Sequence, residues 1–161
     1  MKIPIFQVDA FADSAFEGNP AAVCILEKML PDDILQKIAS EFNLSETAFI
    51  VKISSGGYHL RWFTPLKEVS LCGHATLASA HILFTEAKIP EKVSFQTLSG
   101  VLEVINTNDD HYEMTLPMDY PKPLDITDGF DKIGVEFLEV FEGKDDYLLI
   151  LKDQALSLIH I

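Results

Sequence analysis

One stretch of the chain limits the fold more than any other: LCGHATLASAHILF, at residues 71–84. Apart from Thr76, Ser79 and His81, the part of it that follows the glycine and histidine carries no strongly polar side chain. A helix that is apolar on all sides is buried inside a protein. We therefore expect residues 73–87 to form a central helix that the rest of its domain encloses.

Short strand-like segments lie on both sides of this predicted helix. Alternating or continuous apolar residues indicate strands at residues 3–11, 21–26, 45–53, 58–64, 93–95, 101–105 and 112–116. Pro31 begins a second predicted helix that runs to about residue 42. Tight turns, such as residues 54–57, favour antiparallel pairing. The sequence thus predicts an α+β fold: a curved, mainly antiparallel sheet wrapped around a buried central helix.

The pattern changes after residue 117. A linker is predicted from Pro121, Pro123, Asp125, Asp128 and Gly129. Two further strands are predicted at residues 137–141 and 147–151, whereas residues 156–161 follow no clear pattern. We expect a first lobe over residues 1–120, followed by a linker and the start of a second lobe over residues 121–161.

The chain is acidic, with a formal net charge of −13 and a pI of about 4.6. It has no cluster of Lys and Arg residues, so we expect neither nucleic acid nor an anionic membrane as a partner. No apolar run reaches the roughly 18 residues of a membrane span. Cys24 and Cys72 lie in apolar sequence without the spacing of a disulfide framework, so we expect a reduced, cytoplasmic setting.

The first turn of the central helix is a candidate anion site. The backbone N–H groups of Gly73, His74, Ala75 and Thr76 lack intrahelical partners at a helix start, and the helix dipole adds positive potential there. Gly73 has no side chain to keep a ligand away from the backbone. A carboxylate is the expected ligand. The alternative is an ordinary helix start capped by Ser70 or by water.

Two side chains are candidates for moving a proton. Glu46 precedes apolar residues, and a carboxyl group on a half-buried surface suits general acid–base catalysis near neutral pH. The alternative for Glu46 is a solvated residue at a strand edge. Cys72 directly precedes a helix start, where a thiolate is stabilised. The alternative for Cys72 is a small, buried apolar side chain.

A metal site is not predicted. His74 and His81 are seven residues apart and share a helix face. A zinc site needs three or four ligands, and the neighbouring sequence supplies no others. We therefore expect no metal.

Five segments taken together resemble the phenazine-biosynthesis PhzF-like family. They are Gln7-Val-Asp-Ala-Phe11, Gly18-Asn-Pro-Ala-Ala-Val23, Asn43-Leu-Ser-Glu-Thr-Ala-Phe49, Arg61-Trp-Phe-Thr-Pro65 and Leu71-Cys-Gly-His-Ala-Thr76. They occur in order with compatible spacing, and the resemblance covers residues 1–120 and, more loosely, residues 121–155.

The resemblance implies a diaminopimelate epimerase-like fold, in which two similar lobes each wrap a curved antiparallel sheet around a central helix. The active site then lies between the lobes, where the two helix N-termini converge. By motif, Glu46 is implied as the proton shuttle, residues 73–76 as substrate contacts through their backbone and His74, and Asn19 as a cleft residue. Glu46 should then lie within about 10 Å of His74. The family's chemistry resembles isomerisation of a dihydro-hydroxyanthranilate, in which a carboxylate moves a proton without a cofactor.

The resemblance also implies a missing part. Family members carry a second lobe with a Glu-Asp-Pro and Thr-Gly-Ser type of motif, and none follows residue 120. We expect the chain as given to be truncated after residue 154, to hold half of an active site and to be inactive alone. Apolar residues within 133–151 would then be exposed, so we expect a homo-oligomer or dependence on another chain.

Three functions follow from these observations. The first is a cofactor-independent isomerase that acts on a small carboxylate substrate with Glu46 as general acid and base. The second is an epimerase or racemase that uses Cys72 as its base. The third is a lobe that binds or interacts without catalysis.

Overall fold

The computed structural model describes residues 2–14, 16–89, 91–107, 111–125 and 129–159. The chain divides into a first unit, Met1–Pro117, and a second unit, Met118–Ile161. This division falls just before the boundary expected after residue 120. None of the helices within the described residues combines the length and the apolar character needed to cross a membrane.

A curved, eight-stranded sheet forms most of the first unit. Its strands are β1 (Ile5–Ala10), β2 (Asn19–Leu26), β3 (Glu46–Lys52), β4 (Tyr58–Phe63), β5 (Glu68–Val69), β6 (Lys92–Thr97), β7 (Gly100–Asn106) and β8 (Tyr112–Thr115). They lie in the order β1-β2-β3-β4-β6-β7-β8, with β5 paired to β4. All the strands predicted for this unit are confirmed, and among the described residues only the two-residue β5 was not predicted.

Most neighbouring strands are antiparallel, as predicted, but two pairs are parallel. The connection between the parallel strands β2 and β3 contains helix α1 (Asp32–Phe42), and that between β4 and β6 contains helix α2 (Gly73–Thr85). A parallel pair needs a long crossover connection, which these helices provide. As a result, β2 and β3 start at the same end of the sheet.

Helix α2 is the centre of the first unit. Eight of its thirteen residues are buried: Ala75, Thr76, Ala78, Ser79, Ala80, Ile82, Leu83 and Phe84. By contrast, α1 buries only Leu35 and Ala39. Around α2 the core includes side chains of β2, β3 and β4, such as Val23, Ile50 and Leu60. The prediction of a buried central helix within a mainly antiparallel sheet is confirmed.

The opposite face of β2, β3 and β4 is also covered, because α1 packs on it. There Leu35 and Ala39 form a second cluster with Cys24, Phe49 and Phe63. Strands that are buried on both faces have nearly continuous apolar sequences instead of alternating ones. This double burial explains why the sequence of β2 and β3 is apolar almost throughout.

The second unit contains a three-stranded sheet in the order β11-β10-β9. Its elements are β9 (Lys122–Pro123), a 3₁₀ helix (Phe130–Ile133), β10 (Glu139–Glu142), β11 (Tyr147–Ile150) and helix α3 (Gln154–Ile159). The two strands predicted at residues 137–141 and 147–151 are therefore confirmed as β10 and β11.

Two expectations for the second unit need correction. The predicted linker is partly wrong, because Pro123 pairs with Phe141 in β9, at a sheet edge where a missing N–H is tolerated. The last stretch showed no clear pattern in the sequence, but residues 156–159 belong to α3. Asp128, His160 and Ile161 lie outside the described residues.

Gly18 fixes the turn that leads into β2, and we predict a large cost for Gly18→Ala. Its φ is +85°, and an added Cβ would lie 2.5 Å from the carbonyl oxygen of Ala10. Gly56 has a similar φ of +92°, but nothing lies within 4 Å of an added Cβ. Gly56→Ala should therefore cost only the left-handed strain of roughly 1–2 kcal/mol.

Because Gly18→Ala adds a clash with the backbone, it should lower the free energy of unfolding by about 1–3 kcal/mol more than Gly56→Ala. Urea denaturation of both variants measures the difference. Equal losses in the two variants would show that the close approach to Ala10 has no energetic effect.

Candidate active site

The starts of two parallel strands define one end of the sheet. β2 begins at Asn19 and β3 at Glu46, and the strands are aligned so that Ala21 pairs with Glu46. The hydroxyl of Ser45 donates a hydrogen bond of 3.3 Å to Oδ1 of Asn19, which links the two strand starts. The sequence did not indicate this contact, because it depends on the pairing of segments that are distant in the chain.

Glu46 lies on the face of the sheet that packs against α2. Further along β3, Ala48 and Ile50 belong to the core around α2, whereas Phe49 belongs to the cluster under α1. Side chains alternate between the two faces of a strand. Glu46 therefore shares the inner face with Ala48 and Ile50.

Asn43 explains how the chain reaches Glu46 directly after a helix. Its backbone is left-handed, with a φ of 51°, and its N–H donates to the carbonyl of Ala39 at the end of α1. Asparagine is one of the few residues that adopt this conformation at low cost. The helix therefore ends sharply, and the chain turns at once into the strand that begins with Glu46.

The first turn of α2 lies beside Glu46. Cys72 has an extended backbone, and its carbonyl accepts hydrogen bonds from both the N–H and the hydroxyl of Thr76. Within the described residues, the N–H groups of Gly73, His74 and Ala75 have no backbone carbonyl as partner. The candidate anion site therefore has three backbone N–H groups instead of the four that were predicted, because the N–H of Thr76 already donates to the carbonyl of Cys72.

Glu46, His74 and Cys72 form a cluster at this turn. Nε2 of His74 lies 3.3 Å from Oε2 of Glu46, and Nδ1 of His74 lies 3.4 Å from Sγ of Cys72. The cluster is largely buried, since the side chains of His74 and Glu46 are 10% and 19% exposed. The prediction that Glu46 lies close to His74 is confirmed.

Cys72 is the member of the cluster whose role the sequence left open. Its thiol pKa is raised to about 12, chiefly by burial and also by the Glu46 carboxylate, while the backbone N–H groups of Ala75 and His74 act in the opposite direction. The thiol therefore keeps its proton at neutral pH. The epimerase alternative needs a thiolate base, so the environment of Cys72 disfavours it.

The same three residues are the ones that could hold a metal. One ligand atom from each lies within 4.8 Å of the others, and thiolate, imidazole and carboxylate are all zinc ligands. The expectation that nothing near His74 supplies further ligands is therefore wrong, because the fold brings in Glu46. A metal would have to displace a thiol proton whose pKa is about 12, which opposes binding. His81 does not belong to this cluster, and its Nδ1 lies 2.8 Å from the hydroxyl of Tyr112.

A cleft of about 650 Å³ runs alongside α2. It is lined by residues 8–13 and, on α2, by Leu77, Ala78 and His81. Residues three and four positions apart share a helix face, so His74 lies on the same side of α2 as Leu77 and Ala78. Glu46, Cys72 and His74 are not among the residues that line the cleft, so it lies along the same side of α2 without containing the cluster.

The sequence matches the family described as Phenazine biosynthesis-like protein over residues 8–135. The chain belongs to this family. In this chain, the fold of the family is a curved sheet around a buried helix. Glu46 and His74 lie close together at the start of that helix.

Known proteins with a high similarity are longer than this chain. An uncharacterized isomerase from Pseudomonas aeruginosa is 49% identical over 156 residues, which are 96% of this chain and 59% of that protein. A crystal structure of a PhzF-family phenazine biosynthesis protein from Enterococcus faecalis matches with a TM-score of 0.83 and 43% identity, over 97% of this chain and 60% of the other. The chain thus spans about three fifths of the length of these relatives.

A more distant structure shows the fold alone. A hydroxyproline epimerase from Agrobacterium vitis matches 96% of this chain and 53% of its own, with a TM-score of 0.59 and 13% identity. This match supports the predicted epimerase-like fold.

We predict that both cysteines of the folded protein react slowly with iodoacetamide near neutral pH. The thiolate is the reacting species, and raising a thiol pKa from 9.0 to about 12 lowers its fraction roughly 1,000-fold. Mass spectrometry should show labelling at the rate of a free cysteine only after unfolding in urea. Rapid labelling of Cys72 with Cys24 protected would contradict the neutral thiol and favour the epimerase alternative.

Proposed function

We propose that the protein acts as a cofactor-independent isomerase that moves a proton on a small carboxylate substrate. The observation that carries this proposal is the 3.3 Å approach of the Glu46 carboxylate to His74, beside three amides at a helix start. A proton acceptor and an anion-binding turn are then within reach of one small molecule. Membership of the family, and a relative named as an isomerase, support the proposal.

The substrate carboxylate binds, in this proposal, at the N–H groups of Gly73, His74 and Ala75. These groups and the helix dipole favour a negative charge without any Lys or Arg. Asn19 lines the same end of the sheet, and its Oδ1 already accepts a hydrogen bond from Ser45. The NH₂ group of Asn19 then remains to donate to an oxygen of the substrate.

Glu46 performs the proton transfer in this proposal. As a carboxylate it takes a proton from a substrate carbon, and the electron pair of that C–H bond moves into the conjugated system of the substrate. The negative charge that develops there is stabilised by the helix-start amides. Glu46 then returns the proton to a different carbon, so that neither an oxidant nor a cofactor is needed.

Glu46→Gln tests this role, because glutamine keeps the shape of the side chain but cannot accept the proton. In a full-length relative that carries both lobes, we predict that the same substitution at the matching position lowers deuterium exchange from D₂O into a dihydro-hydroxyanthranilate by roughly 10²–10⁴-fold, the usual contribution of a general acid or base. Binding of the same compound, measured by calorimetry, should be retained. Glu41→Gln, at an exposed position of α1, removes an equal charge and should leave exchange unchanged.

The assay also separates the other functions. Exchange at the wild-type rate in Glu46→Gln would contradict the role of Glu46, and loss of exchange in Cys72→Ala alone would favour the epimerase. Binding without exchange in a wild-type, full-length relative would favour a lobe that binds but does not catalyse.

We also propose that the protein self-associates as a homo-oligomer, through apolar side chains near and on β11. Leu138, Tyr147 and Leu148 are 68%, 55% and 49% exposed, although Val140 is buried. Large exposed apolar patches are typical of protein interfaces. Tyr147 and Leu148 are consecutive in β11 and so lie on opposite faces of the sheet, and we take the face that bears Leu148 as the candidate contact surface.

Leu148→Lys should lower the mass measured by light scattering to that of one chain, because a charge in an apolar contact is costly to bury. Asp145→Lys, at an exposed position in the same unit, is the control and should keep the mass of the wild type. A wild-type protein that is already monomeric would contradict self-association.

A further inference from the structure

We propose that Cys72 is a positioning residue for His74. Its neutral thiol donates a hydrogen bond to Nδ1 of His74 and so holds the imidazole in the tautomer that carries its proton on Nε2, facing Glu46. The catalytic consequence rests on the proposed function, whereas the tautomer itself does not.

The two ring nitrogens of His74 face different partners. Nδ1 lies 3.4 Å from Sγ of Cys72, and Nε2 lies 3.3 Å from Oε2 of Glu46. A neutral imidazole has one N–H donor and one acceptor nitrogen. The partner of one nitrogen therefore decides the state of the other.

The nitrogen of the His74 ring that lies beside Glu46, Nε2, is the one that must carry the proton. Nε2 is buried, and within the described residues it makes no hydrogen bond, so the carboxylate oxygen is its relevant polar neighbour. A nitrogen lone pair 3.3 Å from a carboxylate oxygen would be repelled by it, and the repulsion is strong where water is excluded. A proton on Nε2 turns this contact into an attraction. In the neutral ring, Nδ1 is then the acceptor.

The thiol of Cys72 can donate a hydrogen bond to Nδ1 of His74. Burial and the nearby Glu46 raise the pKa of the thiol, so sulfur keeps its proton. The backbone N–H groups of Ala75 and His74 act against this rise in the thiol pKa without reversing it, so the S–H remains available to donate. Two acceptors are within reach, Nδ1 of His74 and the Glu46 carboxylate. Since Nε2 carries the proton of the ring, Nδ1 is the acceptor that has no other donor among the described residues.

The consequence for catalysis is that Cys72 keeps a fixed N–H beside the proton shuttle. Without the thiol, His74 can populate both tautomers. A fraction of the molecules then lacks the N–H on Nε2 that faces Glu46. The turnover number should then fall more than KM changes, because the substitution leaves the backbone N–H of Gly73 in place. Cys72→Ser keeps a donor at the same position and should restore turnover.

The tautomer is measured directly by NMR on this chain with ¹⁵N-labelled histidine near neutral pH, from long-range ¹H–¹⁵N correlations. In the wild-type protein we expect Nε2 of His74 to be protonated and Nδ1 to be unprotonated. Cys72→Ala should shift the tautomer ratio toward Nδ1–H by roughly five-fold, the effect of one neutral hydrogen bond. Cys72→Ser should keep the wild-type ratio. His74→Gln assigns the signals.

A matched control removes the other cysteine. Cys24 is also buried, with a thiol pKa raised to about 12, but it packs in the cluster under α1. Cys24→Ala should leave the signals of His74 unchanged. His81, with Nδ1 2.8 Å from the hydroxyl of Tyr112, is an internal reference in every spectrum.

Several results would overturn the proposal. A wild-type His74 that carries its proton on Nδ1, or that is doubly protonated, overturns it without any variant. A Cys72→Ala spectrum identical to that of the wild type shows that the thiol donates to Glu46 instead. Equal loss of turnover in Cys72→Ala and Cys72→Ser shows a merely structural role. The NMR result needs no substrate, so a failed exchange test of Glu46→Gln would remove the proposed function and leave the tautomer standing.

Discussion

The burial of α2 on every side is the interaction on which the rest of the structure depends. Because Ala75, Ala78 and Ala80 project little, the strands can close around the helix axis, and their larger neighbours Leu83 and Phe84 fill the remaining space. The turn that forms the candidate active site is the end of this core helix, so it cannot shift without unpacking the domain. Its amides are thus held in place before any ligand arrives, which is the condition under which fixed dipoles stabilise charge best.

Much of the fold could be predicted because burial constrains local patterns. A helix with no polar face is stable only in the interior of the domain. The strands around it that pack on the same core with one face only alternate apolar and polar side chains. The parallel pairing of β2 and β3 was not predicted, although a predicted helix between two predicted strands is the pattern of a crossover connection and could have indicated it. Likewise β9 is two residues long and contains Pro123, a composition that equally indicates a linker.

The site was predictable only in part. Glu46 and His74 were paired through the family resemblance, because no periodicity relates two residues so far apart in the chain. For Cys72, the general rule that a helix start favours a thiolate was outweighed by the burial that encloses α2. Thr76 was expected to offer its amide, but a threonine in a first turn can bond back to the preceding carbonyl, and both of its donors do so.

The parallel register of β2 and β3 decides which changes in length the chain can accept. Because side chains alternate, sliding β3 by one residue would turn Glu46 toward α1 and bring Ser45 or Thr47 beside His74. A single insertion or deletion at residues 43–45 would therefore empty the site of its carboxylate although every functional residue is still present in the sequence. The hairpin turn at residues 54–57 follows the far end of β3, so a change of length there comes after Glu46 in the strand. The distance along the chain from α1 to β3 is thus as much a determinant of the site as the identity of its residues.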